Sequence, residues 1–251
     1  MFYDTSVRLE PVQVAGINQA FRSLLPESVV GLVPGSRFQT WGVSFEQQLP
    51  SQTYFSVAGE LLESKAKRGF GIFRLGSTFA APLTPSVTTE KFEYREKSLT
   101  FTANQLIQEN LALGASYRVS EAELNDRFPE VPPATPLATV AGPTGLGLDR
   151  DLSAILHQVN LHAIFTHSCG GFAQFESVWN QQGNRGYQPD IPGDEFWQFN
   201  AYLGYRFLHR HAEVRLGILN LTDQDYLLNP LNLHLELPRE RTFVVRLKFN
   251  F

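Results

Sequence analysis

The 251-residue chain contains a single cysteine, Cys169. No intramolecular disulfide can form, and a cysteine-rich metal site is excluded. No apolar run approaches the ~18 residues that a membrane-crossing helix requires. Cations are not in excess. The 21 Lys+Arg against 25 Asp+Glu give a formal net charge of -4, with a pI of about 5.9. That balance argues against nucleic acid as a partner. There is no glycine-rich phosphate loop and no nucleophile elbow, so two common enzyme classes lose their signature. The opening MFYDTSVRLEP has no basic segment, no apolar core and no small-residue cleavage site, and does not read as a secretory leader.

What the chain has is alternation. Hydrophobic residues make up 43% of it, yet the mean hydropathy is only -0.17. A membrane β-barrel tolerates that value, because every second residue faces a polar lumen. The 20 Phe, 8 Tyr and 3 Trp suit strands and interfacial girdles. The clearest stretch is the last, Arg241 to Phe251. Phe243, Val245, Leu247, Phe249 and Phe251 share one face there, and Thr242, Val244, Arg246, Lys248 and Asn250 share the other. A transmembrane β-strand needs about 9–11 residues, and this stretch supplies them.

The same pattern recurs upstream. Trp41, Val43 and Phe45 alternate with polar neighbours, as do Phe55, Val57, Gly59 and Leu61. Leu111 to Val119, Ile155 to Phe165, Gly171 to Gln181, Phe196 to Phe207 and Ala212 to Leu221 continue it. Parity survives the charged run Glu63 to Arg68, so one long strand starts at Thr53 and returns over about Thr89 to Asn104. Its far end is polar outside, its near end apolar. LPSQ, QLIQEN, THSCGG and LHRH are short turns, with Cys169 a small residue in the third. The connections between them are long: residues 76–88, 121–151, 182–195 and 222–239. Residues 1–35 read as a first strand at Ser6 to Val14, then a loop with a short helix stopped by Pro26. The expected fold is therefore all-β: an antiparallel outer-membrane barrel sheet of about ten strands, counting Ser6 to Val14 as the first and with the rest over residues 36–251, short turns periplasmic and long loops extracellular.

A more specific likeness lies in AEVRLGILNLTDQDYLLNPLNLHLELPRERTFVVRLKFNF. It resembles the C-terminal end of the TonB-dependent receptors, outer-membrane transporters of Gram-negative bacteria. The matching positions are Asn220, Leu221, Asp223 and Tyr226, then Pro238, Arg239 and Arg241, then the aromatic strand through Phe249 to Phe251. The resemblance implies the C-terminal part of a larger, 22-stranded barrel with a plugged lumen. It implies uptake of a scarce solute such as a siderophore or cobalamin, powered through TonB by way of an N-terminal plug that this stretch would lack. Outer-membrane lipid and the barrel assembly machinery, which reads the aromatic end, would be its partners. With no leader in evidence, the chain is expected to be the back part of a longer protein. Neither enzymatic activity nor a cofactor is implied.

Few residues suggest chemistry. His209 and His211 flank a turn without a third ligand. His157 falls on the lipid-facing parity and suggests an interstrand role. Asp223 and Asp225 imitate paired carboxylates, but the signature gives them a loop-structuring role. By parity Glu60, Arg118, His162, Glu176, Arg206, Glu213 and Arg215 face the lumen. They could brace the wall or touch a plug or solute. Two other readings stand beside the receptor: a self-contained small barrel, porin-like or omptin-like, and a soluble β-sandwich binding domain whose second sheet would cover the outward Trp, Phe and Leu.

Overall fold

The structure is a computed structural model, described for residues 37–74, 84–131, 138–139, 142–143, 149–187, 190, 192–207, 211–226 and 240–249. The strands in chain order are β1 (Arg37–Gln48), β2 (Thr53–Arg74), β3 (Thr84–Ile107), β4 (Leu111–Arg127), β5 (Ala138–Thr139), β6 (Gly142–Pro143), β7 (Arg150–Thr166), β8 (Gly171–Arg185), β9 (Glu195–Phe207), β10 (Ala212–Leu219) and β11 (Thr242–Phe249). Nine of them form one sheet in the order β1-β2-β3-β4-β7-β8-β9-β10-β11, and β5 and β6 form a separate two-stranded ladder. Every pairing is antiparallel and joins neighbours in the meander. The fold is thus all-β. The sheet does not close among the described residues, because β1 and β11 are its edges. A further strand expected at Ser6 to Val14 lies outside the described residues, as do Pro238, Arg239 and Phe251.

The short turns hold the sheet's lower rim together. Gln52 and Gln108 take positive φ (61 and 54°) to complete the first two. Each turn then accepts an amide from a strand beyond its own hairpin. Leu106 N donates to Gln52 O at 3.2 Å, Thr166 N to Asn110 O at 2.7 Å and Arg206 N to Gly170 O at 2.9 Å. Carbonyls that a tight turn would leave idle are satisfied this way.

Side-chain polarity divides the strands into two zones. Near the short turns the outward face is apolar and exposed: Phe45 at 58%, Leu203 at 67%, Phe249 at 56%. No second sheet covers it among the described residues. Trp179 and Trp197 oppose each other on β8 and β9 with ring centroids 6.4 Å apart. Trp41 lies likewise in the half of β1 nearer the long connections. A single girdle at that level requires this placement.

Farther from the short turns the polarity reverses. The outward face carries charge ladders set by register: Lys65–Glu93 and Arg95–Glu63 at 3.5 Å, and Lys97–Glu121 at 3.3 Å. Each exposed pair contributes only ~0–1 kcal/mol. Their value is to solvate a ribbon that stands in water. The inward face there buries Leu62, Phe92, Tyr94, Ala122, Leu124, Leu156 and Phe196 in one cluster.

The reversal explains where the strand limits differ from expectation. β4 runs on to Arg127 and β7 begins at Arg150, both inside the expected loop 121–151. β3 begins at Thr84, inside 76–88, and β8 extends to Arg185, inside 182–195. Loss of outward apolar residues marks the end of the apolar band, not the end of the strand. Glu121, Glu123, Asn125 and Arg127 keep the outward parity while Ala122 and Leu124 stay buried inward.

Candidate functional site on the inner wall

The candidate site is the concave face. At the lower end, aromatic rings lie flat across glycines of the next strand. A Cβ on Gly204 would stand 2.1 Å from the Phe172 ring, and one on Gly217 would stand 2.5 Å from Tyr202. Arginines cap both rings: Arg206 sits 4.5 Å over Phe172 and Arg215 sits 3.9 Å over Tyr202. β8 supplies a ring, β10 a notch and a cation, and β9 all three, so that each ring fills the next strand's notch and is covered by that strand's cation. Gly217→Ala should therefore force Tyr202 off its seat and destabilise the sheet by about 1–3 kcal/mol. Urea unfolding in detergent would measure this. An unchanged midpoint would mean that the ring does not rest there.

Above the notches a hydrogen-bonded chain crosses three strands, β8, β9 and β10, and ends in the turn after β10. Arg215 Nη2 donates to Gln174 Oε1 at 2.8 Å, and Gln174 Nε2 donates in turn to Glu176 Oε1. Asn200 Nδ2 donates to Glu176 Oε2 at 3.4 Å. Asn220 N donates to Asn200 Oδ1 at 3.0 Å. Glu176 is buried at 3% exposure, and the two carboxamides supply the donors its charge requires.

Of the residues expected to face the lumen, all seven are on this face. Arg206 pairs with Glu213 across the β9–β10 hairpin at 2.9 Å. Arg118 reaches Glu96 at 3.4 Å and Ser120 at 3.1 Å. His162 lies over Gly114, where a Cβ would stand 2.1 Å from its ring. Glu60 stands inward on β2, half-buried, with Gly42 of β1 as its cross-strand partner. Arg215 and Glu176 belong to one chain of contacts, Arg206 and Glu213 to a second, and Arg118 to a third. The seven do not converge on a single centre. His157 faces outward and takes the interstrand role: its Nδ1 is 2.7 Å from the Tyr117 hydroxyl, and the rings stack. His211 is exposed, and no group of three metal-ligating side chains occurs among the described residues.

The signature residues fold into a clasp between β10 and β11. Asn220 is fully buried with φ 50°. Its carboxamide grips Gln224 twice, donating to the carbonyl at 2.9 Å and accepting from the amide at 2.8 Å. Asp223 Oδ1 accepts Arg241 N at 2.7 Å, while Arg241 Nε donates to Leu221 O at 3.1 Å. Leu221 N donates to Phe199 O at 2.8 Å, tying the turn to β9. Tyr226 stacks on Phe196 at 4.7 Å and joins the upper inner cluster. Asp225 is exposed beside this turn. Phe249 ends β11 exposed on the outward face.

Two groups were not evident from sequence. One is a carpet of carboxamides on β7–β9: Gln158, Asn160, Asn180, Gln182 and Gln198, all buried. Gln158 donates to Asn180 at 2.9 Å, and neither polar atom of the Gln198 carboxamide has a hydrogen-bond partner among the described residues. Identical parity on three successive strands was the available signal. The other is a charge cluster in the upper zone. Glu90 pairs with Arg68, whose guanidinium lies 4.9 Å over Phe92. Asp126 is raised to about 6, first by burial and then by the Glu90 charge; Asp149 also raises it, and Arg150 and Arg68 oppose the rise.

A carboxyl raised in the folded state binds more protons folded than unfolded. Its contribution to stability is therefore full below the usual carboxylate range and declines as pH rises through about 6. Asp126→Asn should remove that decline. The check is the unfolding midpoint of both proteins across this window. Parallel curves would show that Asp126 is not the group responsible.

Among the described residues no helix is long and apolar enough to cross a membrane. That says nothing of strands. Compared with protein-family models, with curated proteins and with solved structures, the chain matches none.

Proposed function

We propose that this chain forms part of the barrel wall of a TonB-dependent outer-membrane receptor, its C-terminal part. The parent would take up a scarce solute, a siderophore, cobalamin or similar, across the Gram-negative outer membrane. The observation that carries the reading is the reversal of polarity along single strands. An outward apolar band with a polar inner wall suits lipid, and an outward charge ladder with an apolar inner cluster suits the water above it. The alternation of short turns and long connections fits the same orientation. The clasp gives the resembling positions Asn220, Asp223 and Arg241 a mutual structural role.

The open edges favour a wall over a self-contained small barrel. With nine strands in a meander among the described residues, β1 and β11 both run from a long connection toward a short turn. Edges of the same direction cannot pair antiparallel. Closure takes an odd number of further strands running the other way.

Deleting the coding segment in the bacterium that carries it tests the proposal. The protein should fractionate with the outer membrane, and its loss should abolish one protonophore-sensitive uptake of ferric siderophore or cobalamin. A protein found in the soluble fraction, or unimpaired uptake of every such solute, would sink the reading.

A further inference from the structure

The inner wall holds charges that are engaged and carboxamides that are not. Arg206 pairs with Glu213, Arg118 with Glu96, and Arg215 is linked to Glu176 through Gln174. Mid-height on β7–β9 the surface is neutral. Asn160 and Gln198 stand directly opposite Val178, one on either side. Directly opposed residues share a face, so all three point inward. Asn180 is the next inward residue of β8, with Gln158 opposite it, and Gln182 is the one after. Five carboxamides thus frame one buried valine.

None of the five is more than 8% exposed. Among the described residues, six of their polar atoms have no hydrogen-bond partner. Four are acceptors, the side-chain oxygens of Gln158, Asn160, Gln182 and Gln198, and two are donors, the nitrogens of Asn180 and Gln198. The bond from Gln158 to Asn180 leaves the outer ends of that pair open, one of each kind. Buried polar atoms without partners destabilise a fold, and native structures fill such positions.

The open atoms select the chemistry of what fills them. Gln198, open at both ends, is matched by a primary amide, which returns a donor and an acceptor together. A hydroxyl also returns both. A carboxylate or catecholate brings only acceptors toward a surface that already has four. An ammonium group brings only donors and leaves both nitrogens idle. Either charge would also lose its hydration among neutral side chains. Val178 supplies the apolar floor that small-molecule sites combine with a few placed polar groups.

We propose that the carboxamides around Val178 bind the amide- and hydroxyl-bearing periphery of an electroneutral solute, so that the cargo is an uncharged one and not an anionic ferric chelate. This rests on the proposed receptor function in that the bound solute is the one the parent takes up.

The test uses the full chain folded in detergent, dialysed to equilibrium against three coloured probes. Two are uncharged, cyanocobalamin with its rim of primary amides and a neutral ferric trihydroxamate. The third is an anionic ferric tris-catecholate. At least one uncharged probe should be retained, equally at low and high salt, and the anion should not. Gln198→Met removes both open ends at similar volume. It should weaken retention about tenfold without lowering the urea midpoint, because it takes away polar atoms that the fold does not use. Heat-modifiable gel mobility reports whether the variant folds. Should it not fold, Gln182→Met replaces it, with a smaller loss of retention expected.

Loss of both uncharged probes to the dialysate overturns the proposal and leaves these positions to ordered water. Retention indifferent to the substitutions overturns it, as does retention of the anion. A lowered midpoint with retention intact would make Gln198 a structural residue, with the same consequence. The receptor reading is scored apart, by fractionation and by uptake in the deletion strain. A deletion that abolishes uptake of an anionic ferric chelate keeps that reading and removes this site. Retention of an uncharged probe by a protein found in the soluble fraction keeps the site and removes the receptor.

Discussion

Leu216→Arg is expected to destabilise the folded, lipid-inserted sheet by about 2–4 kcal/mol, the cost of a cation on the lipid face near the bilayer midplane. Leu216 is 55% exposed. Its cross-strand neighbours are Leu203 on β9 and Val245 on β11. They are 67% and 68% exposed, so the three make one uncovered apolar row. An arginine placed in that row has no carboxylate opposite it. The contrast is the adjacent residue. Arg215 lies on Tyr202 and donates to Gln174, so Arg215→Leu loses a cation–π contact and one charge-assisted hydrogen bond. Those are worth about 1–3 kcal/mol together. The incoming leucine also covers the ring that arginine leaves, which places the net cost toward the lower end of that range. Urea unfolding of both variants in lipid vesicles should rank Leu216→Arg as the more damaging. The opposite ranking would mean that the apolar face is not the lipid face.

Some of this was legible without coordinates because strand parity is a strict period of two. Knowing that Leu216 points outward fixes Arg215 inward, and a register slip would invert both. The outward apolar residues of every long strand are where alternation puts them, and so are the seven inward residues named from sequence. Partnership was not legible. Nothing in the spacing of Gln174, Glu176, Asn200 and Asn220 says that they form one chain, because cross-strand register depends on turn geometry and on how far each strand extends. Strand extent was the harder quantity. Glu121 to Arg127 reads as loop while apolar outward residues are the criterion. Beyond the apolar band, the outward positions become charged and the apolar residues move to the inner face, so the same parity carries the opposite meaning. Each of Gly204 and Gly217 is the space that an aromatic ring from the adjacent strand occupies, which no spacing within one strand reveals.

The chain by itself is expected to support no TonB-dependent uptake, even where it reaches the membrane. The reason is geometric. Residues of β1 are exposed on both faces, and β11 has a single neighbour, β10. Among the described residues each edge presents a row of backbone donors and acceptors with no neighbouring strand, and lipid would satisfy none of them. Because both edges run in the same direction, the antiparallel ladder cannot close on itself without at least one added strand. A barrel of about ten strands has an interior little wider than an eight-stranded one, which side chains or a single small ligand fill. Phe172, Tyr202, Arg206 and Arg215 already occupy part of that space on the inner wall. A 22-stranded wall, by contrast, encloses a lumen large enough to hold a plug. The measurement is expression behind a signal peptide in a receptor-deficient Gram-negative host, with accumulation of ferric siderophore and cobalamin followed with and without TonB. Outer-membrane insertion with no uptake is the expected outcome. TonB-dependent accumulation restored by this chain alone would make it a complete small transporter, and the two open edges would then have to be closed within its own residues.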